Sequence, residues 1–332
     1  MKNTTHWNER KNSMFLMRCT LLVCLLLICS LQGEGQRFMW WNVENLFDCK
    51  DDSLHEDEEF LPEGDHHWTL GRYWRKMDNI ARVIAAVSEE SGWPALVGLA
   101  EVENDSCLFD LTRRSPLRTA GYEFIITEGP DRRGVEVGLL YQPDLFRLEG
   151  YEELRIPSEE EGFRPTRNLL HAWGKIPSGD LIHVIALHFP SRAGSGREGN
   201  ANRLLAARTL RTAVDSLRGE KILVMGDFNA EPGDPIFREI LKHETPLVSL
   251  MPQNKRELRK NRGTYVFQGQ WSYLDHILVS RSLMPKVEGK VQVARFGFLL
   301  DEKGVPWRTY RGPVYQGGYS DHLPLWVDLS GE

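Results

Sequence analysis

A short stretch in the second half of the chain, KILVMGDFNAEP (residues 221–232), places two polar side chains directly after an apolar run. The apolar residues 222–225 predict a buried strand that ends at Gly226. Asp227 and Asn229 follow two residues apart, and in an extended chain they point to the same side. A carboxylate beside a carboxamide can hold a water molecule or a phosphate oxygen. A turn of Gly, Asp and Asn is also ordinary loop chemistry, so this stretch alone does not establish a site.

Polar residues also lie at the ends of other strand-like segments. Each has an ordinary explanation, because an asparagine can begin a turn, a glutamate can cap one, and a histidine can be hydrogen-bonded in a core. Strand ends in layered α/β proteins nevertheless meet at one crevice, so several of them can form one site. These residues are Asn42 in RFMWWNVEN, Glu101 in PALVGLAEV, His188 in LIHVIALHFP, Asp275 in YLDHILVS, and Asp321 with His322 in YSDHLPLWVDL.

Together these side chains could make a phosphate ester attackable. Carboxylate and amide oxygens bind hard divalent cations, which neutralise the charge that repels a nucleophile. Burying Glu101 after an apolar strand is costly without such a partner, and strand alternation predicts that Glu103 points to the same side. A carboxylate beside the His322 imidazole would keep it cationic, so that it could stabilise charge in the transition state. His188 could protonate the leaving oxygen.

Arginines near these strands are candidates for contacting the substrate. Arg164 and Arg167 come close together in one turn and could fork onto a phosphate, or could be exposed without a ligand. Arg192 and Arg197 lie in a flexible basic segment after the His188 strand. The chain has a net charge of −6 and no long basic segment, which is not the pattern of a general nucleic-acid binder. An acidic protein can still act on phosphates when divalent cations neutralise both partners.

The first 35 residues predict a signal peptide. Basic residues precede an apolar run over 19–31, which is short for a membrane span of about 18 or more residues. Small residues support cleavage after Gly35, although Cys29 in a poor lipobox leaves a lipid anchor as an alternative. No other long apolar run follows. We therefore expect an exported protein, periplasmic or secreted, without a transmembrane segment in the mature chain.

The remaining residues, 36–332, predict a single domain. Apolar residues recur at helical spacing over 73–90 and 202–217, between many strand-like segments, and no repeat or linker interrupts them. This alternation favours stacked sheets flanked by helices. Cys49 and Cys107 could form a disulfide after export, but the sequence does not show that they meet. There is no CxxC or HExxH motif for a thiolate zinc site or a zincin site.

The order of the motifs WNVEN, LAEVEN, LHFPSR, GDFNAEP, YLDHILVS and YSDHLPL resembles the endonuclease/exonuclease/phosphatase superfamily. This superfamily includes DNase I-like nucleases, abasic-site endonucleases, neutral sphingomyelinases and inositol-polyphosphate 5-phosphatases. The resemblance covers nearly the whole chain after residue 35. It implies an α/β fold of the DNase I-like type, a four-layer α/β/β/α sandwich. It also implies Mg²⁺- or Mn²⁺-dependent hydrolysis of phosphate esters.

The resemblance also implies roles for single residues at the metal. Glu101 matches the metal-ligand glutamate of the family, and Asn42 matches the first-strand asparagine near metal and phosphate. Asp321 matches the aspartate that lies close to the metal. These three residues are the expected metal ligands.

Further roles follow from the resemblance for the catalytic residues. Asp227 and Asn229 match the pair that orients or deprotonates the attacking water and contacts the phosphate. Asp275 and His322 match a partnered Asp–His dyad. His188 matches the position where DNase I-like members have histidine and abasic-site enzymes have tyrosine. The resemblance does not settle which residue is base and which is acid, and it gives no role to the aromatic loop 301–318, which we expect over the substrate.

These features predict a metal-dependent phosphoesterase, most simply an exported nuclease that cuts DNA or RNA. Arg164, Arg167 and Arg192 are its expected substrate-binding cations, and no protein partner is predicted. The alternative is an inositol-phosphate phosphatase or a sphingomyelinase-like phosphodiesterase, which the acidic charge suits equally well. A binding module without activity is disfavoured because every motif residue is present.

Overall fold

The computed structural model of the protein describes residues 35–88, 92–191, 196–241, 245–252 and 263–331, with side chains left out at 196–198. The predicted signal peptide, except Gly35, and Arg192 lie outside these residues. Within the described ranges no helix has the length and apolar character to cross a membrane. Cys49 and Cys107 are both free thiols in the structure.

Sixteen strands in the described residues form the sheets, and their number is typical of a two-sheet protein. In chain order they are β1 (Gln36–Leu46), β2 (Leu96–Val102), β3 (Glu123–Ile126), β4 (Glu136–Tyr141), β5 (Arg147–Leu154), β6 (Leu169–Lys175), β7 (Leu181–His188), β8 (Lys221–Asp227), β9 (Leu247–Ser249), β10 (Tyr265–Phe267), β11 (Gln270–Ser272), β12 (Asp275–Ser280), β13 (Val287–Val293), β14 (Tyr310–Arg311), β15 (Val314–Tyr315) and β16 (Leu325–Leu329).

Four α-helices accompany the strands in the described residues. They are α1 (Leu70–Ser88), α2 (Asp105–Phe109), α3 (Gly196–Ser216) and α4 (Ile236–Leu241). The two long helices correspond to the two segments of helical periodicity. The buried residues of α1 include one charged side chain, Lys76, in addition to apolar residues such as Met77 and Ile80.

Two six-stranded sheets contain most of the strands. The first has the order β13-β16-β1-β2-β4-β3, and the second has the order β5-β6-β7-β8-β12-β9. Each sheet has one parallel pair near its middle, β1 with β2 and β7 with β8, and antiparallel pairs elsewhere. Two short hairpins, β10-β11 and β14-β15, stand apart from the sheets.

Strand alternation divides the core into three apolar layers. In β1, Phe38 and Trp40 point into the core between the sheets, whereas Met39 and Trp41 pack in the core that contains α1. A third apolar layer joins the second sheet to α3 and α4. The order is therefore helix, sheet, sheet, helix, and the predicted four-layer α/β/β/α sandwich of the DNase I-like type is confirmed.

The register of the second sheet aligns three of the predicted site residues. His188 at the end of β7 pairs with Asp227 at the end of β8, and Asp227 pairs with Asp275 at the start of β12. In the first sheet, Asn42 and Glu101 lie toward the carboxyl ends of the parallel strands β1 and β2. Because the two sheets face each other, both sets of strand ends open on the same side of the sandwich.

Candidate active site

A cleft of about 1040 Å³ lies where these strand ends meet. Residues from both sheets line it, together with residues from the loops before β4 and β6. Of the residues singled out from the sequence, the cleft is lined by Asn42, Glu101, Arg164, Arg167, His188, Asp227, Asn229, Asp321 and His322. Asp275 lies behind His322, and Arg192 is outside the described residues.

The side chain of Asn42 joins the two sheets at the floor of the cleft. Its Nδ2 donates to Oε1 of Glu101 at 3.2 Å and to Oδ2 of Asp227 at 3.1 Å. Its Oδ1 accepts the backbone N–H of Glu44 at 3.0 Å, which is consistent with this orientation of the amide. One buried amide therefore fixes the distance between the carboxylates of the two sheets.

Glu101 reaches the cleft because the end of β2 is irregular. Its φ is +63°, in the left-handed region that non-glycine residues rarely adopt, and the pairing of β2 with β4 shifts at this point. The backbone N–H of Asn45 donates to Oε2 of Glu101 at 3.0 Å. Simple alternation was therefore wrong here, since Glu103 instead accepts the backbone N–H of Asp48, and burial raises its pKa to about 8.

Asp275 and His322 form the expected pair. Nδ1 of His322 lies 2.7 Å from Oδ2 of Asp275, whose oxygens also accept from Trp40 Nε1 at 2.9 Å and Thr264 Oγ1 at 2.6 Å. Burial alone would lower the His322 pKa, but Asp275, Asp227 and the adjacent carboxylate raise it well above its usual range. Burial alone would raise the Asp275 pKa, but His322 lowers it. The pair is therefore a carboxylate and an imidazolium.

Asp227 lies between the two histidines. Its Oδ2 is 3.7 Å from Nε2 of His322 and 3.7 Å from Nε2 of His188, and its Oδ1 accepts the backbone N–H of Asn229 at 2.9 Å. Burial, with Asp275 nearby, raises the Asp227 pKa to about 7. Asn229 also lines the cleft; its φ is +48°, and its Nδ2 donates to the carbonyl of Phe189.

His188 differs from His322 in its protonation. Burial, together with the positive charges of Arg167, Arg133 and His322, holds the pKa of His188 well below its usual range. Within the described part of the chain its Nδ1 has no hydrogen-bond partner. A neutral imidazole can donate one N–H, but it has no additional proton to give. The role of His188 as the proton donor stays a prediction.

The carboxylates of Glu101, Asp227 and Asp321 face the cleft where a cation would bind. Asp227, Asp275 and His322 form a compact group, with ligand atoms within 4.8 Å of one another. Asp275 does not line the cleft, whereas Glu101, Asp227 and Asp321 do, so these three carboxylates are better placed. Oxygen donors of this kind suit a hard divalent ion, so the residues fit the implied metal.

A buried charge network supports Asp321 from behind. Nη2 of Arg308 is 2.5 Å from Oδ2 of Asp321, and Nε of Arg308 is 3.7 Å from Oε1 of Glu44. The fully buried Lys76 of α1 donates to Thr309 Oγ1 at 2.5 Å. Burial lowers the Lys76 pKa to about 8, while nearby carboxylates oppose this. The loop 301–318 thus has a structural role beside the cleft that the sequence analysis did not assign.

Other residues at the cleft were also missed. Arg132 and Arg133 line it beside Arg164 and Arg167, and they follow a Gly-Pro-Asp turn that marked a loop but no function. The ring of Tyr265 packs on His322 with 4.8 Å between centroids, and Phe267 of the same hairpin lines the cleft with 60% of its surface exposed. In the sequence, the dipeptide Arg132-Arg133 and the nearby aromatic residues Tyr265 and Phe267 were the available signals.

We call Asn42, Glu101, Asp227, Asp275 and His322 the reacting centre. Its members come from five strand ends or strand-flanking segments. Hydrogen bonds join Asn42 to Glu101 and Asp227, and Asp275 to His322. The two groups meet where Nε2 of His322 lies 3.7 Å from Oδ2 of Asp227. The centre combines carboxylates for a cation, a buried acceptor for a water molecule and an imidazolium for an anion. This arrangement suits attack by water on a phosphate ester.

Comparisons with known proteins agree with this geometry. A family model described as the endonuclease/exonuclease/phosphatase family matches residues 38–331. A search of curated proteins gave no match. Among solved structures, Bacteroides thetaiotaomicron mannosyl-6-phosphatase Bt3783 has 18% identity over 89% of this chain and 99% of its own, with a TM-score of 0.54.

Two further solved structures have the same fold. A humanized D. rerio TDP2 has 16% identity over 90% of this chain and 100% of its own, with a TM-score of 0.57. The human Nocturnin catalytic domain has 19% identity over 90% of this chain and 95% of its own, with a TM-score of 0.53. At these identities the likeness establishes the fold and not the substrate.

Proposed function

Because this chain belongs to the endonuclease/exonuclease/phosphatase family, we propose that it is an exported nuclease that hydrolyses phosphodiester bonds of DNA or RNA. Members of this family are metal-dependent phosphoric-ester hydrolases, and this chain is a hydrolase of that class. The observation that supports a working site is the reacting centre itself, in which carboxylates, an amide and an imidazolium from both sheets meet in one cleft.

Features around the reacting centre favour a strand of nucleic acid over a small ester. The cleft is at the upper end of the 300–1,000 Å³ range that is typical of small-molecule pockets. Arginines line one part of it, and the exposed ring of Phe267 lines another. A basic groove with an aromatic platform is the usual means of holding single-stranded nucleic acid.

We assign the metal to the carboxylates of Glu101, Asp227 and Asp321, with Asn42 beside them. A bound Mg²⁺ or Mn²⁺ ion would neutralise the phosphate and polarise its oxygens. Asn42 would then hold the carboxylates of the two sheets at the spacing that the ion needs, through its hydrogen bonds to Glu101 and Asp227. The choice between the two metals is left to experiment.

The remaining residues act on the water and the phosphate. Asp227, within a pocket that excludes bulk solvent, orients the attacking water together with Asn229. His322, held by Asp275, presents Nε2 as a cationic donor to the phosphate. His188 donates a neutral N–H from the other side of Asp227. Each role depends on a contact of one side chain with the substrate that kinetics can test.

Export is part of the proposal and rests on the predicted signal peptide at residues 1–35. A secreted or periplasmic nuclease would act on nucleic acid outside the cell. Expressing the full chain with and without residues 1–35, and following the protein by fractionation, tests this part. Retention of the full chain in the cytoplasm would contradict it.

A panel of substrates tests the activity. Purified protein is incubated with single-stranded DNA, plasmid and RNA, each with Mg²⁺, with Mn²⁺ and with a chelator. We expect metal-dependent cleavage of at least one nucleic acid, and no cleavage by His322→Ala at the same concentration. Intact nucleic acids under every metal condition would contradict the nuclease proposal.

A small phosphate ester is the second candidate substrate. The net charge of −6 disfavours long polyanions, and a relative with the same fold is named a mannosyl-6-phosphatase. Release of inorganic phosphate from mannose 6-phosphate or inositol phosphates, or of phosphocholine from sphingomyelin, with nucleic acids intact, would select this alternative.

A further inference from the structure

Four arginines form a separate surface of the cleft, which we call the arginine wall: Arg132, Arg133, Arg164 and Arg167. Two of them come from the turn before β4, and two come from the segment before β6. Arg132 and Arg164 are exposed, Arg133 is partly exposed and Arg167 is buried. Basic side chains from two loops therefore converge on one wall of the cavity that contains the reacting centre.

The arginine wall has more positive charge than its own carboxylates neutralise. Asp131 Oδ2 is 3.3 Å from Nη1 of Arg167, and Asp131 Oδ1 is 3.9 Å from Nε of Arg133. Glu56 is the other acid that lines this part of the cleft. Four guanidinium groups stand against Asp131, Glu56 and the buried Glu136, with which Arg167 interacts, so the wall keeps a net positive charge that suits an anion.

Unpaired polar atoms mark the same wall. Arg167 is 5% exposed, and within the described residues its Nε has no hydrogen-bond partner; the same holds for the buried Oγ1 of the neighbouring Thr166. Buried polar groups are nearly always hydrogen-bonded in native proteins. A guanidinium N–H and a hydroxyl that line a cleft without partners are donors suited to phosphate oxygens.

The scissile phosphate does not need these donors. The reacting centre already supplies a metal site and the His322 imidazolium for that group, and Asn229 lies beside them in the cleft. We propose that the arginine wall binds a second phosphate group of the substrate, adjacent to the scissile one. The proposal rests on the nuclease function, under which this group is the phosphate of the neighbouring nucleotide.

Matched dinucleotides test the second phosphate. TpT, pTpT and TpTp share one scissile phosphodiester, and the latter two carry an additional phosphate at the 5′ or the 3′ end. We expect the wild type to have a kcat/KM about tenfold or more higher for one phosphorylated form than for TpT, since a bidentate arginine contact is a strong one. A preference for the 5′- or the 3′-phosphorylated dinucleotide shows on which side of the scissile phosphodiester the arginine wall lies.

Variants at the exposed part of the wall assign that preference. Arg133→Gln and Arg164→Gln should lower the ratio of the two kcat/KM values toward one, because each removes one guanidinium without unpacking the buried Arg167. Arg281→Gln is the matched control, since Arg281 is exposed at the opposite end of β12 from the site and should leave the ratio unchanged. Thermal unfolding confirms that each variant is folded.

Two outcomes overturn the second-phosphate proposal, and a third separates it from the nuclease proposal. A wild-type ratio near one, or a ratio that the wall variants do not change, rejects the arginine wall as a phosphate site. If no dinucleotide is cut and single-stranded DNA, plasmid and RNA also stay intact, the nuclease proposal fails. Mannose 6-phosphate and mannose 1,6-bisphosphate then replace the dinucleotides, and a preference for the bisphosphate that Arg133→Gln removes would support the wall, while no preference would reject it.

Discussion

The reacting centre and the arginine wall lie in one cleft but are built differently. In the reacting centre the Asp275 oxygens, the His322 Nδ1 and the Asn42 amide all have protein partners. At the arginine wall, Nε of the buried Arg167 and Oγ1 of the neighbouring Thr166 have no hydrogen-bond partner among the described residues. The fold therefore fixes the geometry of the centre before any substrate binds, whereas the wall lacks the groups that would complete it.

This difference teaches how binding and chemistry are divided in the molecule. A preorganised network stabilises charge without moving at the moment of reaction. A wall with unsatisfied donors contributes only when an anion occupies it. Changes in the centre should therefore lower the rate on every substrate, and changes in the wall should alter the choice among substrates.

Loss of the metal should have the largest effect. Chelation should bring activity on all substrates below detection, and added Mg²⁺ or Mn²⁺ should restore it and raise the melting temperature, because an ion that binds only the native state stabilises it by about 2.7 kcal/mol at a hundredfold excess over Kd. Glu101→Gln should abolish this thermal shift. Glu103→Gln is the control, because Glu103 does not line the cleft and accepts the backbone N–H of Asp48 instead. A shift that persists in Glu101→Gln would place the ion elsewhere.

Removal of the imidazolium should have the next largest effect. His322→Ala should lower kcat by roughly a thousandfold on any substrate, as is typical when a catalytic histidine is lost. His171→Gln provides the comparison, since His171 pairs with His183 and Glu152 outside the cleft. Steady-state kinetics on the same ester measures both. Near-full turnover by His322→Ala would show that His322 has no role in catalysis.

The buried lysine should have a smaller effect on the centre. Lys76→Met removes the N–H donors to Thr309 Oγ1 and the Tyr319 carbonyl, which hold the segment that leads to Asp321. We expect kcat to fall about tenfold, which corresponds to about 1.4 kcal/mol, with little change in KM. Asp78→Ala, exposed on the same helix, should leave kcat unchanged. A pure change in KM would show that Lys76 does not position the centre.

The smallest effect concerns the support of the arginine wall. Glu136 accepts the backbone N–H of Gly129 at 2.8 Å in the turn that presents Arg132 and Arg133, and burial raises its pKa to about 7. The native state therefore binds more protons than the unfolded state between pH 4.5 and 7, so this group stabilises the protein at acid pH and the contribution is lost as the pH rises.

Glu136→Gln should remove this pH dependence. From pH 5 to pH 8 the free energy of unfolding of the wild type should fall relative to that of the variant by roughly 1–3 kcal/mol. Urea unfolding of both proteins at the two pH values gives the difference. A constant difference between them would show that Glu136 is ionised throughout.

The sequence predicted the layers and most of the reacting centre, because both depend on local patterns. Alternation in β1 separates Trp40 from Trp41, and polar residues after apolar strands mark Asn42 and Asp227. The strand ends had to meet once the two sheets packed face to face. The pairing of Asp275 with His322 came from the resemblance to a family and was found in the structure.

Other features were not available from local patterns. The left-handed φ of Glu101 depends on the backbone N–H of Asn45 in another strand, so alternation could not give its direction. Lys76 lies among apolar residues of α1, and its buried ammonium donates hydrogen bonds to Thr309, 233 positions away, and to the Tyr319 carbonyl. Arg132 and Arg133 follow an ordinary turn, and only the packing of β4 beside the cleft gives them a role.

Crystallographic anomalous scattering from Mn²⁺, with a slowly hydrolysed phosphorothioate analogue of the preferred dinucleotide bound, tests the account most directly. The account predicts a manganese peak at the Glu101 carboxylate, the scissile phosphorus beside His322 and the second phosphate against Arg133 and Arg164. A manganese peak away from Glu101, or a scissile phosphate outside the reacting centre, would contradict it.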